Sequence, residues 1–323
     1  MIKYFLFSTF FLTSFLLISQ NNFNPVLIKS WPESKSTIYI GNPTGLGVDS
    51  KNNLVIFHRS SRLWTNPLPK DKIKEKVISY FDAESGKVIN SWGQNMFVMP
   101  HGLEIDNDDN IWVTDVAMHQ VFKFNSKGEL LLTLGEIFKP GDDQNHFNMP
   151  TDITVLSDGS FYVSDGYGNS RIIKFSKKGE FLFQIGGFGN GKNEFNIPHG
   201  IDNDNQNNIY VADRENNRIK KFDDKGNLLK IWQNKISQQL YSVKVDNKNH
   251  LVYAIDYYIK DGQEIMGSNI FILDKELNLL NKFGRSGNYQ GPITRYHDIE
   301  IDNYGSIYAA DILNNQIQIF SKY

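Results

Sequence analysis

The chain has 323 residues, of which 34 are basic and 36 are acidic, so its formal net charge is −2, and 40% of its residues are hydrophobic. This near balance argues against nucleic-acid binding, and no dense stripe of Lys and Arg is interleaved with aromatic residues. The chain contains no cysteine, which excludes disulfides, thiolate metal ligands, cysteine nucleophiles and a lipidated N-terminal cysteine. Any bound metal must therefore be held by nitrogen and oxygen atoms.

The first segment of the chain is apolar. Residues 1–20 contain one lysine, Lys3, followed by an apolar run rich in Phe and Leu from Tyr4 to Ile18. This run is shorter than the ~20 residues that a membrane-spanning helix needs, which favours a cleaved secretory signal peptide. A retained N-terminal anchor is the alternative, because no clear small-x-small cleavage site follows. We therefore predict a secreted or periplasmic protein with one domain over residues 21–323, in which no other segment is suited to cross a bilayer.

After position 40 the sequence repeats itself with a period of roughly 40 to 55 residues, which is typical of propellers and repeat arrays. Each repeat has a first strand, a tight polar turn with Asx or Gly residues, and a second strand rich in β-branched and aromatic residues. Third and fourth strands follow in most repeats, and four antiparallel strands make a propeller blade. The predicted first strands are 44–49, 101–106, 151–156, 199–204, 241–246 and 297–302.

The sixth repeat stops after its third strand, and residues 25–31 resemble the fourth strands of the other repeats. We therefore predict an all-β, six-bladed propeller in which this N-terminal strand completes the last blade. Such closure removes the open sheet edges that invite aggregation. A segment rich in Pro and Lys, 65–73, is predicted to be an insertion within the first blade.

Three equally spaced histidines, His101, His199 and His297, open the first strands of every second repeat. In a ring of six blades they would lie about a third of a turn apart around the central axis. Three neutral imidazoles with one open coordination position match a catalytic zinc site, whereas structural zinc sites are closed by four protein ligands. On ligand type alone, copper and iron remain alternatives.

The histidines share one mouth of the channel with residues that follow the second strands. The start of a first strand lies beside the end of the second strand, because the two pair antiparallel through a short turn. Arg59, Tyr167 and Arg214 follow second strands and are therefore expected at this mouth. The alternatives are a packed loop aromatic for Tyr167 and rim charges paired with acids for the two arginines. Asp298, directly after His297, is expected either to orient that histidine or to bind a hard cation.

These motifs resemble those of the peptidyl-α-hydroxyglycine α-amidating lyases, a family of six-bladed propellers with NHL-type repeats. The resemblance covers nearly the whole chain after the first segment and implies that the three histidines bind a catalytic zinc ion. It implies that Tyr167 and Arg59 are the catalytic tyrosine and arginine, and it places Arg214 near the site. The segments that carry it are 51–59, 100–103, 112–117, 144–147, 163–167 and 212–216.

The resemblance further implies a reaction and a second metal. The reaction splits a peptidyl- or N-acyl-α-hydroxyglycine into an amide and glyoxylate, with zinc activating the hydroxyl and Tyr167 as the general base. Arg59 would either lower the pKa of Tyr167 or hold the substrate carboxylate. A structural calcium ion would be held by backbone carbonyls that match Leu46 and Leu103, together with the carboxylate that matches Asp298.

The chain departs from the family beside the third histidine and at its disulfides. Arg295-Tyr296 stands where the family has Met-Pro, which places a charge at the pocket and makes Arg295 a predicted substrate contact together with Arg59 and Arg214. Without disulfides, stability is expected to come from blade packing and ring closure. The positions that match the two family bridges are Asn148 with Gly168 and Tyr210 with Lys221.

Our leading hypothesis is a monomeric, exported zinc lyase that acts on an N-acyl- or peptidyl-α-hydroxyglycine supplied by a separate hydroxylating monooxygenase. The alternative enzyme is a metal-dependent, lactonase-like hydrolase on the same scaffold, although such sites use calcium bound by carboxylates rather than three axial histidines. The non-enzyme alternative is an NHL-type module whose channel mouth binds a peptide or a glycan.

Overall fold

The computed structural model describes residues 25–32, 38–235, 239–284 and 293–321. The signal or anchor segment predicted for residues 1–20 lies outside these ranges. Within them, no helix combines the length and the apolar character that crossing a membrane requires. The described chain is almost entirely β-structure, as the sequence predicts, and its one α-helix spans four residues.

The described strands pair into six antiparallel sheets, each of which forms a blade. The sixth blade contains β1 (Val26–Trp31), β23 (Tyr296–Ile301), β24 (Ile307–Asp311) and β25 (Gln316–Ser321). The first blade contains β2 (Pro43–Val48), β3 (Asn53–His58), β4 (Ile78–Asp82) and β5 (Val88–Trp92), and the second β6 (Pro100–Ile105), β7 (Ile111–Asp115), β8 (Gln120–Phe124) and β9 (Leu130–Leu134). The third contains β10 (Asp152–Val155), β11 (Phe161–Asp165), β12 (Arg171–Phe175) and β13 (Phe181–Gly186), with the helix α1 (Gly166–Asn169) after β11. The fourth contains β14 (Pro198–Asn203), β15 (Ile209–Asp213), β16 (Arg218–Phe222) and β17 (Leu228–Gln233), and the fifth β18 (Gln239–Asp246), β19 (Leu251–Lys260), β20 (Glu264–Gly267), β21 (Asn269–Asp274) and β22 (Leu279–Gly284).

The blades form a closed ring around the first strands. Each of β2, β6, β10, β14, β18 and β23 contacts the first strand of the next blade, and β23 contacts β2. The predicted closure is confirmed, because β1 pairs antiparallel with β25 as the outer strand of the sixth blade. Trp31 at the end of β1 is buried, and its ring stacks on Phe81 of the first blade at 5.9 Å and lies 6.2 Å from Tyr308. This side chain therefore joins the last blade to the first.

Hydrophobic cores fill the spaces between neighbouring blades. Successive side chains of a strand point to opposite faces of the sheet, so each blade needs apolar residues on both faces. In β7, Val113 packs with Phe57 in the core shared with the first blade, whereas Trp112 packs with Phe161 in the core shared with the third. The second strands β7, β11, β15 and β24 are buried throughout for this reason, which explains their content of β-branched and aromatic residues.

In each of the two pairs that match a family disulfide, the two residues are neighbours in the fold. The Gly168 N–H donates to the Asn148 carbonyl at 2.9 Å, and a Cβ on Gly168 would collide with the Asn148 side chain. Tyr210 pairs with Lys221 across β15 and β16, and the Lys221 Nζ lies 5.3 Å from the centre of the Tyr210 ring. A cation–π contact therefore occupies one bridge position.

A lysine occupies the turn end of the central channel, opposite the histidine mouth. The Lys244 Nζ lies 3.0 Å from Glu300, 3.5 Å from Glu104 and 3.8 Å from Asp202, all on first strands. Burial raises the pKa of Glu104 to about 8 and that of Glu300 to about 7, and the Lys244 charge opposes both shifts. Burial lowers the pKa of Lys244, but the three carboxylates outweigh it and raise that pKa well above its ordinary value. The charge of Lys244 thus favours the ionised forms of three carboxyl groups that face the channel.

His58, at the end of β3, makes the stability of the blade sensitive to acid. Its Nδ1 accepts the Ser60 N–H at 3.2 Å, so its proton lies on Nε2, which is 3.3 Å from the Ser79 Oγ. Burial lowers the pKa of His58 from 6.5 to about 4. Because the folded-state pKa lies below the unfolded value, the stabilisation is complete above pH 6.5 and is lost as the pH falls towards 4.

We expect the His58→Gln substitution to flatten the dependence of stability on pH. Between pH 7 and pH 4.5 the free energy of unfolding of the wild type should fall by about 2 to 3 kcal/mol more than that of the variant. Urea denaturation in the presence of a chelator measures this difference. The control is His250→Asn at an exposed turn, which should follow the wild type, and identical losses in wild type and His58→Gln would contradict the prediction.

Candidate active site

Each of the three histidines at the mouth lies at a β-bulge at the start of its strand. In β14 and β23 the pairing with the second strand skips His199 and His297, and in β6 the register shifts across His101. A bulge bends the strand and redirects the side chain of the extra residue, and bulges are frequent beside active sites. The starts of these first strands pair with the ends of the second strands. This pairing confirms that the histidines and the ends of the second strands lie at the same mouth of the channel.

Buried aspartates at the ends of the second strands hold these bulges in place. The Asp115 carboxylate accepts the N–H groups of Val98 at 2.7 Å and Met99 at 2.9 Å, just before the second-blade bulge. Asp311 accepts the Arg295 N–H at 3.0 Å before the sixth-blade bulge. An ionised carboxylate that accepts backbone N–H groups makes a strong hydrogen bond, so the segment that enters each first strand is fixed.

The three imidazole rings converge on the axis, with ring centres 4.6 to 4.8 Å apart. Each Nδ1 donates to a backbone carbonyl of the next blade, and a carbonyl can only accept, so each Nε2 keeps a free lone pair. These carbonyls belong to the residues that occupy the histidine position in the alternate blades. The pairs are His101 with Thr151 (2.6 Å), His199 with Tyr241 (2.8 Å) and His297 with Thr44 (2.8 Å).

The histidines are neutral in this environment. Burial lowers the pKa of all three well below 6.5, and the nearby Arg59 lowers that of His101 further. A metal ion binds the unprotonated nitrogen of a neutral imidazole. Because these rings are already neutral, they do not have to release a proton before they bind a metal. One ligand nitrogen from each lies within 4.8 Å of the others. The site is therefore a group of three neutral nitrogen donors that could hold a metal ion.

Tyr167 lies over this group, on the short helix α1. Its Oη is 3.0 Å from the His101 Nε2 and 3.1 Å from the His199 Nε2. The helix can approach this closely because it begins with glycine, since a Cβ on Gly166 would come within 2.1 Å of the Pro198 carbonyl oxygen. The hydroxyl of Tyr167 is thus directed at the free lone pairs rather than packed in a loop.

Arginines surround the Tyr167 hydroxyl. Burial raises the pKa of Tyr167, and Arg214 opposes that shift more strongly than Arg59 does. The Arg214 Nη1 lies 3.5 Å from the Tyr167 Oη, and its guanidinium also stacks 5.1 Å from the Tyr241 ring. Arg214 forms an ion pair with Glu215 at 2.8 Å. The sequence left two roles open for Arg59, lowering the pKa of Tyr167 or holding the substrate carboxylate, and in the structure Arg214 lowers this pKa more than Arg59 does.

Arg59 is 4% exposed and lies beside the histidines. Its Nε donates to the Pro100 carbonyl at 3.0 Å, directly before His101, and its guanidinium stacks over Trp64 at 5.2 Å. Burial lowers the pKa of Arg59 to about 10. Its Nη2 is buried and has no hydrogen-bond partner among the described residues. Arg59 therefore brings an unused charged donor to the site.

Arg295 joins the site through Tyr241. Its Nη2 donates to the Tyr241 Oη at 2.6 Å, and its guanidinium lies 4.7 Å from the Tyr257 ring. The Tyr241 ring lies 4.9 Å from that of His199. All four arginine and tyrosine side chains predicted for the mouth, Arg59, Tyr167, Arg214 and Arg295, thus gather around the histidines.

Comparisons with known proteins agree with this arrangement. NHL repeats are matched at residues 97–124, 147–175 and 195–222. The chain is 37% identical over 317 residues to peptidyl-glycine alpha-amidating monooxygenase B of Xenopus laevis, which covers 90% of this chain and 35% of that protein. It is 32% identical over 337 residues to peptidyl-alpha-hydroxyglycine alpha-amidating lyase 1 of Drosophila melanogaster, which covers 94% of this chain and 61% of that protein. Along nearly its whole length the chain is therefore similar to the peptidyl-α-hydroxyglycine α-amidating lyases.

The chain thus spans about a third of the Xenopus relative and 61% of the Drosophila lyase. Among solved structures, a streptogramin B lyase has a similar fold, with a TM-score of 0.59 over 88% of this chain and 95% of that chain at 14% identity. This likeness supports the propeller fold.

The residues expected to bind calcium lie in a layer directly below the histidines. Asp298 accepts the Leu46 N–H and the Ser242 hydroxyl, each at 2.8 Å, while Leu103 is buried on β6. Burial raises the pKa of Asp298 to about 6, and burial and the Asp298 charge raise that of Asp152 well above its ordinary value. A hard cation with oxygen ligands would relieve the repulsion between these two carboxylates, so the residues fit calcium.

Two residues of the site, Tyr241 and Trp64, were not predicted from the sequence. Tyr241 occupies the same repeat position as the histidines, so the repeat alignment contained a signal for it. Trp64 lies directly before the first-blade insertion, and its ring centre is 5.3 Å from that of Tyr167. Nothing in the repeat pattern points to Trp64, because this part of the first blade has no counterpart in the other blades.

Proposed function

We propose that the protein is a zinc-dependent lyase that cleaves peptidyl- or N-acyl-α-hydroxyglycines to an amide and glyoxylate. One observation carries the proposal: the Tyr167 Oη lies 3.0 and 3.1 Å from two imidazole nitrogens whose lone pairs are free. A base within hydrogen-bond distance of a metal site is suited to remove the proton of a hydroxyl group that binds there. Similarity to the amidating lyases supplies the substrate class.

His101, His199 and His297 would hold the zinc ion, because three neutral imidazoles that leave an open position fit catalytic zinc. When bound, the ion lowers the pKa of a coordinated hydroxyl group. The oxygen donors of the layer below, at Leu46, Leu103 and Asp298, would hold a structural calcium ion.

Tyr167 would act as the base for the substrate hydroxyl. Arg214 and Arg59 favour its phenolate form, against the effect of burial. Removal of the hydroxyl proton forms the aldehyde C=O of glyoxylate as the C–N bond breaks. The Tyr167 hydroxyl then returns the proton to the departing amide nitrogen, so the reaction is balanced without a redox cofactor.

Arg59 is suited to bind the carboxylate of the α-hydroxyglycine. Its unpartnered Nη2 lies on a guanidinium that is fixed by Pro100 and Trp64 beside the histidines. A charged donor held in this way makes a strong hydrogen bond to a carboxylate.

The substrate requires an earlier hydroxylation at the glycine α-carbon. The Xenopus relative is named as a monooxygenase, which supports a hydroxylating monooxygenase as the supplier of the substrate. On the basis of residues 1–20, we place the reaction outside the cytoplasm. We also propose that the protein acts as a monomer.

A glyoxylate-release assay tests the proposed function. Purified, zinc-loaded protein should convert N-benzoyl-α-hydroxyglycine to benzamide and equal amounts of glyoxylate, and a chelator should stop the reaction until zinc is restored. A simple lactone measured in parallel should not be hydrolysed. Folded, zinc-loaded protein that releases no glyoxylate above the uncatalysed rate would refute the proposal, and lactone hydrolysis would favour the hydrolase.

A further inference from the structure

We propose that this site selects substrates in which the residue before the α-hydroxyglycine carries a carboxylate, and that Arg295 binds this second anion. The inference rests on the proposed lyase function. It specifies the substrate as an acidic N-acyl-α-hydroxyglycine, with a glutamyl or aspartyl residue before the reacting carbon.

The balance of charge at the mouth carries the argument. Arg214 has its own counterion, since Glu215 lies 2.8 Å from it. Among the side chains that the structure describes (25–32, 38–235, 239–263, 266–284 and 293–321), no carboxylate forms an ion pair within 4.0 Å with Arg59 or Arg295. Arg59 is buried and Arg295 is partly buried, so two charged side chains at one site lack a counterion, which an anionic ligand would supply.

Arg295 is held in place without being neutralised. Its N–H donates to Asp311 at 3.0 Å, and its carbonyl accepts the Ile312 N–H at 3.0 Å, so both sides of its peptide backbone are fixed. Among the described residues, its guanidinium contacts neutral groups, the Tyr241 hydroxyl at 2.6 Å and the Tyr257 ring at 4.7 Å. The Nε of Arg295 is buried and has no hydrogen-bond partner in the described structure.

The α-hydroxyglycine itself brings one carboxylate, which matches one arginine. Arg59 is next to the reacting centre, because it is bonded to the residue before His101. Arg295 instead contacts Tyr241, whose ring contacts His199 and lies 5.9 Å from that of His297. The second guanidinium thus remains for an anion on the acyl side of the scissile bond, where a planar, two-pronged donor suits a carboxylate.

The experiment compares two isosteric substrates, N-acetyl-glutamyl-α-hydroxyglycine and N-acetyl-glutaminyl-α-hydroxyglycine. For the wild type we expect kcat/KM to be about tenfold or more higher with the glutamyl substrate, since it alone makes a charge-assisted hydrogen bond. Arg295→Gln should abolish this preference through a raised KM for the glutamyl substrate and should change the glutaminyl substrate by less than about threefold. The matched control is Arg62→Gln, an arginine paired with the exposed Asp71 at 2.8 Å, which should keep the wild-type preference.

Binding of the unhydroxylated peptides N-acetyl-Glu-Gly and N-acetyl-Gln-Gly, measured by calorimetry, tests the same contact without turnover. A glutamyl preference that Arg295→Gln removes would support the inference, even if no glyoxylate were released and the lyase proposal failed. Equal kcat/KM values and equal affinities for the two side chains in the wild type would overturn it. An equal rise in KM for both substrates in Arg295→Gln would also overturn it, because Arg295 would then bind the glycine carboxylate.

Discussion

The Tyr167→Phe variant should release glyoxylate about 10²- to 10⁴-fold more slowly than the wild type, which is the usual contribution of a general base. The substitution removes only the hydroxyl that lies 3.0 Å from the His101 Nε2 and 3.1 Å from the His199 Nε2. The ring would remain in contact with Trp64 and the histidines, so the site should keep its shape. We therefore expect the loss to appear in kcat, with KM changed much less.

Metal content and a second tyrosine make this result interpretable. Zinc per chain, measured by elemental analysis, should be the same in Tyr167→Phe and in the wild type, because the three imidazoles remain. Tyr304→Phe removes a hydroxyl from a tyrosine that is 82% exposed, and it should leave kcat unchanged. A Tyr167→Phe enzyme with zinc bound and a rate within about threefold of the wild type would exclude this hydroxyl as the base.

The fold could be predicted because each blade repeats the same local information. Short runs of β-branched and aromatic residues and polar turns mark the first two strands in all six repeats, and the likeness of residues 25–31 to a fourth strand predicts ring closure. The third and fourth strands of the first and fifth blades were harder to recognise. In the first blade, the chain between His58 and Ile78 interrupts the repeat, and in the fifth an extra strand, Glu264–Gly267, extends β19.

The candidate site was predictable where symmetry governs it and not where contacts cross between blades. Equal spacing brought the histidines to one axis, and strand direction brought Arg59 and Tyr167 to the same mouth. The Nδ1 acceptors, the contact of Arg295 with Tyr241, and the position of Trp64 depend on distances between blades, which local sequence does not encode. The cluster of Lys244 with three acids also depends on distances between blades, because its four residues come from four first strands.

The three histidines should all be needed to bind the metal ion. His199→Ala should lose the zinc ion and lower glyoxylate release on the order of 10³-fold or more, because two imidazoles are left and the developing charge on the substrate oxygen is no longer stabilised. Its Nδ1 bond to the Tyr241 carbonyl is lost as well, so the fold must be checked by circular dichroism. The control is His250→Asn at an exposed turn, which should keep both zinc and activity.

Thermal unfolding separates loss of the metal from loss of the fold. A ligand that binds only the folded state stabilises it by about 2.7 kcal/mol at a free concentration 100 times its Kd, so added zinc should raise the Tm of the wild type and of His250→Asn. The Tm of His199→Ala should not respond to zinc. Calcium content should be unchanged in this variant, because Asp298 and its neighbours form a separate layer of oxygen donors. A His199→Ala protein that still binds one zinc per chain, or a wild type whose Tm ignores zinc, would contradict the assignment of the three histidines as the metal site.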